Sequence, residues 1–274
     1  MKTIKHIGGF VFATAVLALA SCDKIKDSGR LIDQGVMEVK SERCVLLEDY
    51  TGVRCVNCPD AAAEIKVLQA AFGKNLVAVG MYPMAPSSLT LPYPGDMDLR
   101  TEEAQAYADA YQIAQYPQGM VNRKSVLNFQ AWGGAIQEIL NDSASDYLNL
   151  LASVQLSGTN MQVNINGNFK QDYPEDGEIN VIAMIVEDNI NARQQKHDGI
   201  DKDYIHSHVL RSVISDDVWG DKVLDSKPAE GDEFTKQYTA VLNAEWKSQD
   251  LALVVVAVNA KSREVLQAAY AHMK

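Results

Sequence analysis

The chain has 274 residues, of which 47% are hydrophobic and 22% charged, an ordinary globular composition that excludes a disordered, collagen-like or disulfide-miniprotein reading. The length exceeds the usual size of one hydrophobic core and favours two modest domains. With 25 basic against 36 acidic residues and a formal charge of -11, the chain repels phosphate backbones, so nucleic acid is not expected as a partner.

Lys2 and Lys5 give a positive start, followed by an apolar run over residues 8–20 that is short for a bilayer span. This is the pattern of a secretory signal peptide over residues 1–21. Leu19-Ala20-Ser21-Cys22 resembles the bacterial lipobox, which implies lipidation of Cys22 and attachment to the membrane. Ordinary cleavage beside a chance cysteine is the alternative. More than one acyl chain on Cys22 gives lasting attachment, because a single chain holds only reversibly. Residues 22–36 are charged and weakly apolar and read as a tether. No later run is apolar enough for a spanning helix, which excludes an integral helical bundle.

Three cysteines remain in a compartment that permits disulfides: Cys44, Cys55 and Cys58. In Cys55-Val56-Asn57-Cys58 a helix start brings the two sulfurs within bonding reach. A zinc half-site competes with this reading, but no second pair completes four ligands, and no metal is assigned.

Val45-Leu46-Leu47-Glu48-Asp49-Tyr50, bounded by Thr51-Gly52, has the look of a buried strand. In the helix that follows, Ala61, Ile65, Leu68 and Phe72 share a face, Pro59 sits in the first turn and Gly73 is placed to stop it. Cys55 then lies at the helix amino terminus, where free N–H groups and neighbouring Arg54 favour a thiolate and make it the expected nucleophile. Cys58, one turn further in and less exposed, is the expected resolving thiol. Cys44 reads as a core residue at the strand start.

Residues 76–81 form a second buried strand, followed by a long loop with Pro83, Pro86, Pro92 and Pro94. Thr101 with Glu102 and Glu103 marks a helix start, and Ala104, Tyr107, Ala108 and Tyr111 follow at helical spacing. After Tyr116-Pro117 come short strands at 120–122 and 125–127 turning at Arg123-Lys124, then a helix with Trp132, Ile136, Ile139 and Leu140 on one face. This order of elements over residues 37–150 is that of an α/β thioredoxin-like domain.

Glu48-Asp49-Tyr50-Thr51-Gly52 leading into Cys55-Val-Asn-Cys58-Pro59, with Tyr116-Pro117-Gln-Gly-Met-Val-Asn122-Arg123 downstream, resembles the outer-membrane-protein-28-related family of bacterial envelope lipoproteins. Tyr204-Ile-His206-Ser-His208-Val-Leu-Arg211 and Trp219-Gly220 extend the likeness over most of the mature chain. The resemblance implies a thioredoxin-like domain in which Pro117 is a cis proline facing the disulfide, holding a substrate strand and keeping metals from the thiols. It also implies that Asp49, six positions before Cys55, is the buried acid that moves protons during exchange. Strand alternation sends Glu48 and Asp49 to opposite faces, so one should approach the cysteines and the other should be solvated. The chain departs from thioredoxin proper in carrying Arg54 where an aromatic commonly stands, and Val-Asn between the cysteines.

From about residue 151 the pattern turns to strands, around a Ser157-Gly158-Thr159-Asn160 turn and then at 179–186, 208–213, 234–242 and 251–258. With no long helices between them, they suggest an all-β immunoglobulin-like sandwich domain over residues 151–274. Residues 265–270 would close the sheet or form a short helix. His206 and His208 share a strand face, but without a third ligand they read as structural. The acidic residues Asp172, Glu175, Asp176 and Glu178 around Pro174 read as a solvated turn rather than a calcium loop.

Two functions follow for a lipoprotein of the outer membrane, facing the periplasm or the surface. In the first, Cys55 attacks a protein disulfide, Cys58 resolves the mixed disulfide, Asp49 or Glu48 relays a proton and Pro117 orients the partner, with no cofactor beyond the disulfide itself. In the second, the bridge is structural and the sandwich loops bind a protein or glycan.

Overall fold

A computed structural model describes residues 37–40, 43–225 and 227–273. The signal peptide, Cys22 and the tether lie outside them. Strand β1 is Met37–Lys40, β2 is Val45–Tyr50 and β3 is Leu76–Met81. β2 and β3 are parallel, in register from Val45↔Leu76 to Tyr50↔Met81, and both are buried throughout, with Glu48 and Asp49 the two acids withdrawn along with the apolar residues. Helix α1, Cys58–Phe72, connects them and buries Ala61, Ile65 and Leu68, while Gly73 caps it with a φ of 55°.

After the short helix α2, Ser87–Thr90, α3 covers Glu102–Ala110. The Thr101 side chain accepts the Ala104 N–H and starts it as expected. β4, Gln118–Val121, runs antiparallel to the free side of β2, and β5, Val126–Leu127, pairs with β4. Asn122 and Arg123, with φ of 47° and 59°, make the left-handed turn that a tight hairpin needs. Helix α4, Trp132–Asn141, packs Trp132, Ile136 and Ile139 onto the α1 side of the sheet.

The second half begins with the hairpin of β6, Leu148–Ser157, and β7, Asn160–Phe169. With β1 and β15, Glu233–Val241, they form a four-stranded antiparallel sheet in the order β1-β6-β7-β15. Burial alternates along β6 and β7, because only one face is covered. That face packs on β8, Ile179–Glu187, β16, Leu251–Asn259, and β17, Val265–His272. Leu148, Leu150, Val163 and Ile165 meet Val181, Ile185, Leu253 and Val255 in one core.

This second sheet does not end at the expected domain boundary. β13, Val209–Val213, is antiparallel to β8 and joins β3 in parallel at Val209↔Gly80, and β14, Asp221–Leu224, also pairs with β8. One nine-stranded sheet therefore runs β17-β16-β8-β13-β3-β2-β4-β5, with β14 beside β8 off this path, through both halves of the chain, and β1, at the start of the expected first domain, belongs to the four-stranded sheet. The free-standing sandwich expected over residues 151–274 is replaced by two sheets of which one is shared. The physical reason is that β8 and β16 are covered on both faces: Ile182, Met184, Val254 and Val256 point away from the four-stranded sheet into a core with Leu46, Val77, Val79 and Tyr107. All described residues fall in one compact unit.

Between β8 and β13 the chain makes two small antiparallel ladders: β9, Ile190–Asn191, with β12, Ile205–His206, and β10, Gln194–Lys196, with β11, Gly199–Asp201. This polar excursion was not expected from the sequence.

Candidate functional site

β2 ends where Thr51 N–H donates to Met81 O, and a turn over residues 52–57 leads into α1. Cys55 lies in the turn and Cys58 is the first helical residue, with Pro59 in the first turn. The two are joined in a disulfide with a Cα separation of 5.4 Å. Gly52 lets the proline-rich loop close on this turn, since a Cβ there would stand 2.4 Å from Leu89 O, and Arg54 N–H donates to the same carbonyl at 2.8 Å.

Cys55 is not the more exposed cysteine, contrary to expectation. Each is only 2% exposed. The reason is β10: Gln195 N–H donates to Val53 O at 2.8 Å, and the Gln194 amide donates to Cys55 O at 2.9 Å and Gly52 O at 3.2 Å. Arg54 is also otherwise engaged. Its guanidinium donates to Leu91 O and Pro92 O at 2.6 and 3.1 Å and lies 4.3 Å from the Tyr93 ring centre, so it anchors the proline-rich loop.

The Tyr116-Pro117 bond is cis, and Tyr116 shares a core with Cys55 and Cys58. A second cis bond, Ala85-Pro86, was not singled out in the sequence. The Tyr116 hydroxyl ties the two segments together by donating to Ala85 O at 2.6 Å.

Alternation along β2 separates Glu48 from Asp49, as expected, but neither is solvated. Glu48 is fully buried and held by Arg123 on the α3 side. Asp49 is 3% exposed and lines a pocket with Cys58, Ala62, Lys66, Tyr204 and His206. Burial pushes its carboxyl from 3.8 up to about 7, and Oδ1 has no hydrogen-bond partner. The acid beside the cysteines is therefore Asp49.

The pocket lies between α1 and residues 204–208. His206 Nε2 faces Ala192 O at 3.2 Å and so carries the proton, which leaves Nδ1 to accept from the Tyr82 hydroxyl at 2.8 Å. Burial pulls its pKa down from 6.5 to about 4, and the ring is neutral at neutral pH. His208 lines the same pocket. Its φ of 57° breaks the strand, and its ring meets Asp188 at 3.1 Å and Gln69 at 3.0 Å. Cys44 is buried at the start of β2, with its thiol 3.1 Å from Lys74 O. The acidic residues near Pro174 serve local contacts, including Glu230 N–H to Asp172 and Lys222 to Glu178.

The family model described as outer membrane protein Omp28 matches residues 104–274, a span that holds Pro117 and His206 and leaves out Asp49 and both disulfide cysteines. Among solved structures, HBP35 of Porphyromonas gingivalis is similar with a TM-score of 0.63 at 15% identity, over 85% of this chain and 76% of that one. Protein AGR_C_4864 from Agrobacterium tumefaciens is similar with a TM-score of 0.52 at 16% identity, over 85% and 96%. A domain of the outer membrane lipoprotein Omp28 from Porphyromonas gingivalis aligns at a TM-score of 0.33 and 15% identity, over 47% and 88%. At these identities the first two show a shared fold and the last carries no weight. Among curated proteins none matches the chain.

Proposed function

The chain belongs to the Omp28 family of outer membrane proteins, and on that premise we propose that it is a lipoprotein, anchored through Cys22, whose Cys55–Cys58 pair exchanges disulfides on a thioredoxin-like platform. The order β3-β2-β4-β5, with the cysteines at the start of α1 and a cis bond before Pro117, supports the thioredoxin-like reading. The observation that carries the chemistry is Asp49. A carboxyl buried beside Cys58 with an unpaired oxygen destabilises the fold, and a purely structural bridge gains nothing from it.

In this reading Cys55 attacks a substrate disulfide, forming a mixed disulfide and releasing one substrate sulfur as thiolate. Cys58 gives its proton to Asp49 and attacks the Cys55 sulfur, which reforms the protein disulfide and releases the second substrate sulfur. Asp49 returns the proton, and Pro117 orients the partner. Glu48, locked to Arg123, takes no part.

A second reading has its own observation. Both cysteines are only 2% exposed, which suits a structural bridge in a protein that binds other proteins or glycans through its loops. The reduction potential of the pair in the full chain, purified in detergent, decides between them, with Cys58→Ser used to trap mixed disulfides from envelope extract. A potential near or above about -270 mV with trapped partners supports exchange, whereas one below about -300 mV with none trapped supports the structural bridge.

A further inference from the structure

We infer that the pocket between α1 and residues 204–208 admits a low-molecular-weight thiol or disulfide, and that this small molecule reacts at Cys58 rather than Cys55. The inference rests on the exchange reading above and names a substrate class for the same cysteines.

The cover over Cys55 is built from backbone and amide hydrogen bonds of β10, so an extended protein segment cannot approach that sulfur while they hold. Cys58 has a different neighbourhood. It lines the pocket and Cys55 does not. Ala62, Ile65 and Lys66 line it too, and at helical spacing they continue one face of α1 away from the disulfide. Displacement at sulfur places the incoming atom opposite the leaving one. A thiolate that bonds to Cys58 from this pocket expels Cys55 as the leaving sulfur. Cys58 is buried, as Cys55 is, and the pocket is where a small guest meets it.

The polar groups suit the same guest. Asp49 stands in the wall to take the thiol proton, and Tyr204 lines the same wall, where its hydroxyl can meet the guest. Lys66 lines the pocket and is exposed, placing an ammonium at the rim where a carboxylate-bearing thiol would set its charge. In the forward step the incoming thiol loses its proton and its sulfur bonds to Cys58, while the Cys55–Cys58 bond breaks and its electron pair leaves on Cys55. A second thiol attacks the guest sulfur of the mixed disulfide and releases Cys58. Two thiols become one small disulfide, the protein disulfide becomes a dithiol, and the two protons end on Cys55 and Cys58, one of them held by Asp49 between steps.

The test compares two variants of the full chain in detergent, Cys55→Ser and Cys58→Ser, in their reaction with glutathione disulfide as probe, followed by mass. The Cys55→Ser variant, which keeps Cys58, is expected to form the mixed disulfide at least about tenfold faster. Both variants lack the bridge, so a loss of stability affects them alike. In the disulfide-intact chain, Ala62→Leu narrows the pocket and should slow reduction by glutathione by about tenfold. Lys66→Glu should slow glutathione disulfide several-fold more than the neutral hydroxyethyl disulfide. Faster reaction of Cys58→Ser, or equal rates with and without Ala62→Leu, overturns entry at Cys58 and leaves exchange through Cys55 standing. Failure of both cysteine variants to react overturns the exchange reading together with this one.

Discussion

Arg123 grips Glu48 with Nε at 3.0 and 3.1 Å from the two carboxylate oxygens and Nη2 at 2.6 Å from one of them, and both side chains are wholly withdrawn from water. The pair joins the centre of β2 to the β4–β5 turn, and the Tyr107 ring lies 4.5 Å from the guanidinium carbon. Glu48→Gln leaves a buried charge without its counter-charge and should cost about 3–5 kcal/mol in chemical denaturation. The double change Glu48→Leu with Arg123→Met removes both charges and should recover part of that loss.

Asp49 sets a slope of stability with pH. Its folded pKa of about 7 lies above the ordinary 3.8, so between these values the folded protein holds a proton that the unfolded chain has lost. Stability therefore falls as pH rises from about 4 to about 7 and is level above that. Relative to the wild type, Asp49→Asn should gain on the order of 4 kcal/mol between about pH 4 and about pH 8. Denaturation midpoints across this range check it, and parallel curves for the two proteins would contradict it.

His206 acts with the opposite sign. Its pKa falls from 6.5 to about 4 on folding, so the unfolded chain binds the proton more tightly in that window and stability is lost as pH falls through it. His206→Gln should remove this acid sensitivity while weakening the contact to the Tyr82 hydroxyl. Because the slopes of Asp49 and His206 oppose each other between about pH 4 and about pH 6.5, the wild type should be flatter there than either variant. Melting at several pH values reads this directly.

Gln194→Ala should uncover the disulfide. The change removes the amide that donates to Cys55 O and Gly52 O, at a cost of roughly 1–2 kcal/mol. Reduction by dithiothreitol should become faster in the variant, by more than the stability loss alone produces in a control such as Gln162→Ala on β7. Equal rates in Gln194→Ala and the wild type would show that removing this cover opens no route to Cys55 for a small thiol.

Much of the site was legible because its elements are local. The buried strands at 45–50 and 76–81 announce themselves by an apolar start before Thr51-Gly52 and by an apolar run respectively, and α1 by the spacing of Ala61, Ile65 and Leu68. Alternation correctly parted Glu48 from Asp49. It could not reveal that Glu48 is buried, because the partner Arg123 lies 75 positions away in a turn. The shared sheet does leave a signal in the sequence: residues 179–186 and 251–258 lack the polar alternation of a strand with one wet face. The cover over Cys55 left none, since β9 to β12 are two or three residues each and too polar and short to show a period.

The shared core has a consequence for export. A chain crossing the inner membrane emerges amino end first, and β2 and β3 arrive early. Their faces at Leu46, Val77 and Val79 are completed by Ile182, Met184, Val254 and Val256, which arrive only with the last third of the chain. The first half therefore reaches the periplasm with an apolar face that Ala104, Tyr107 and Ala108 of α3 cover only in part until β8 and β16 are through.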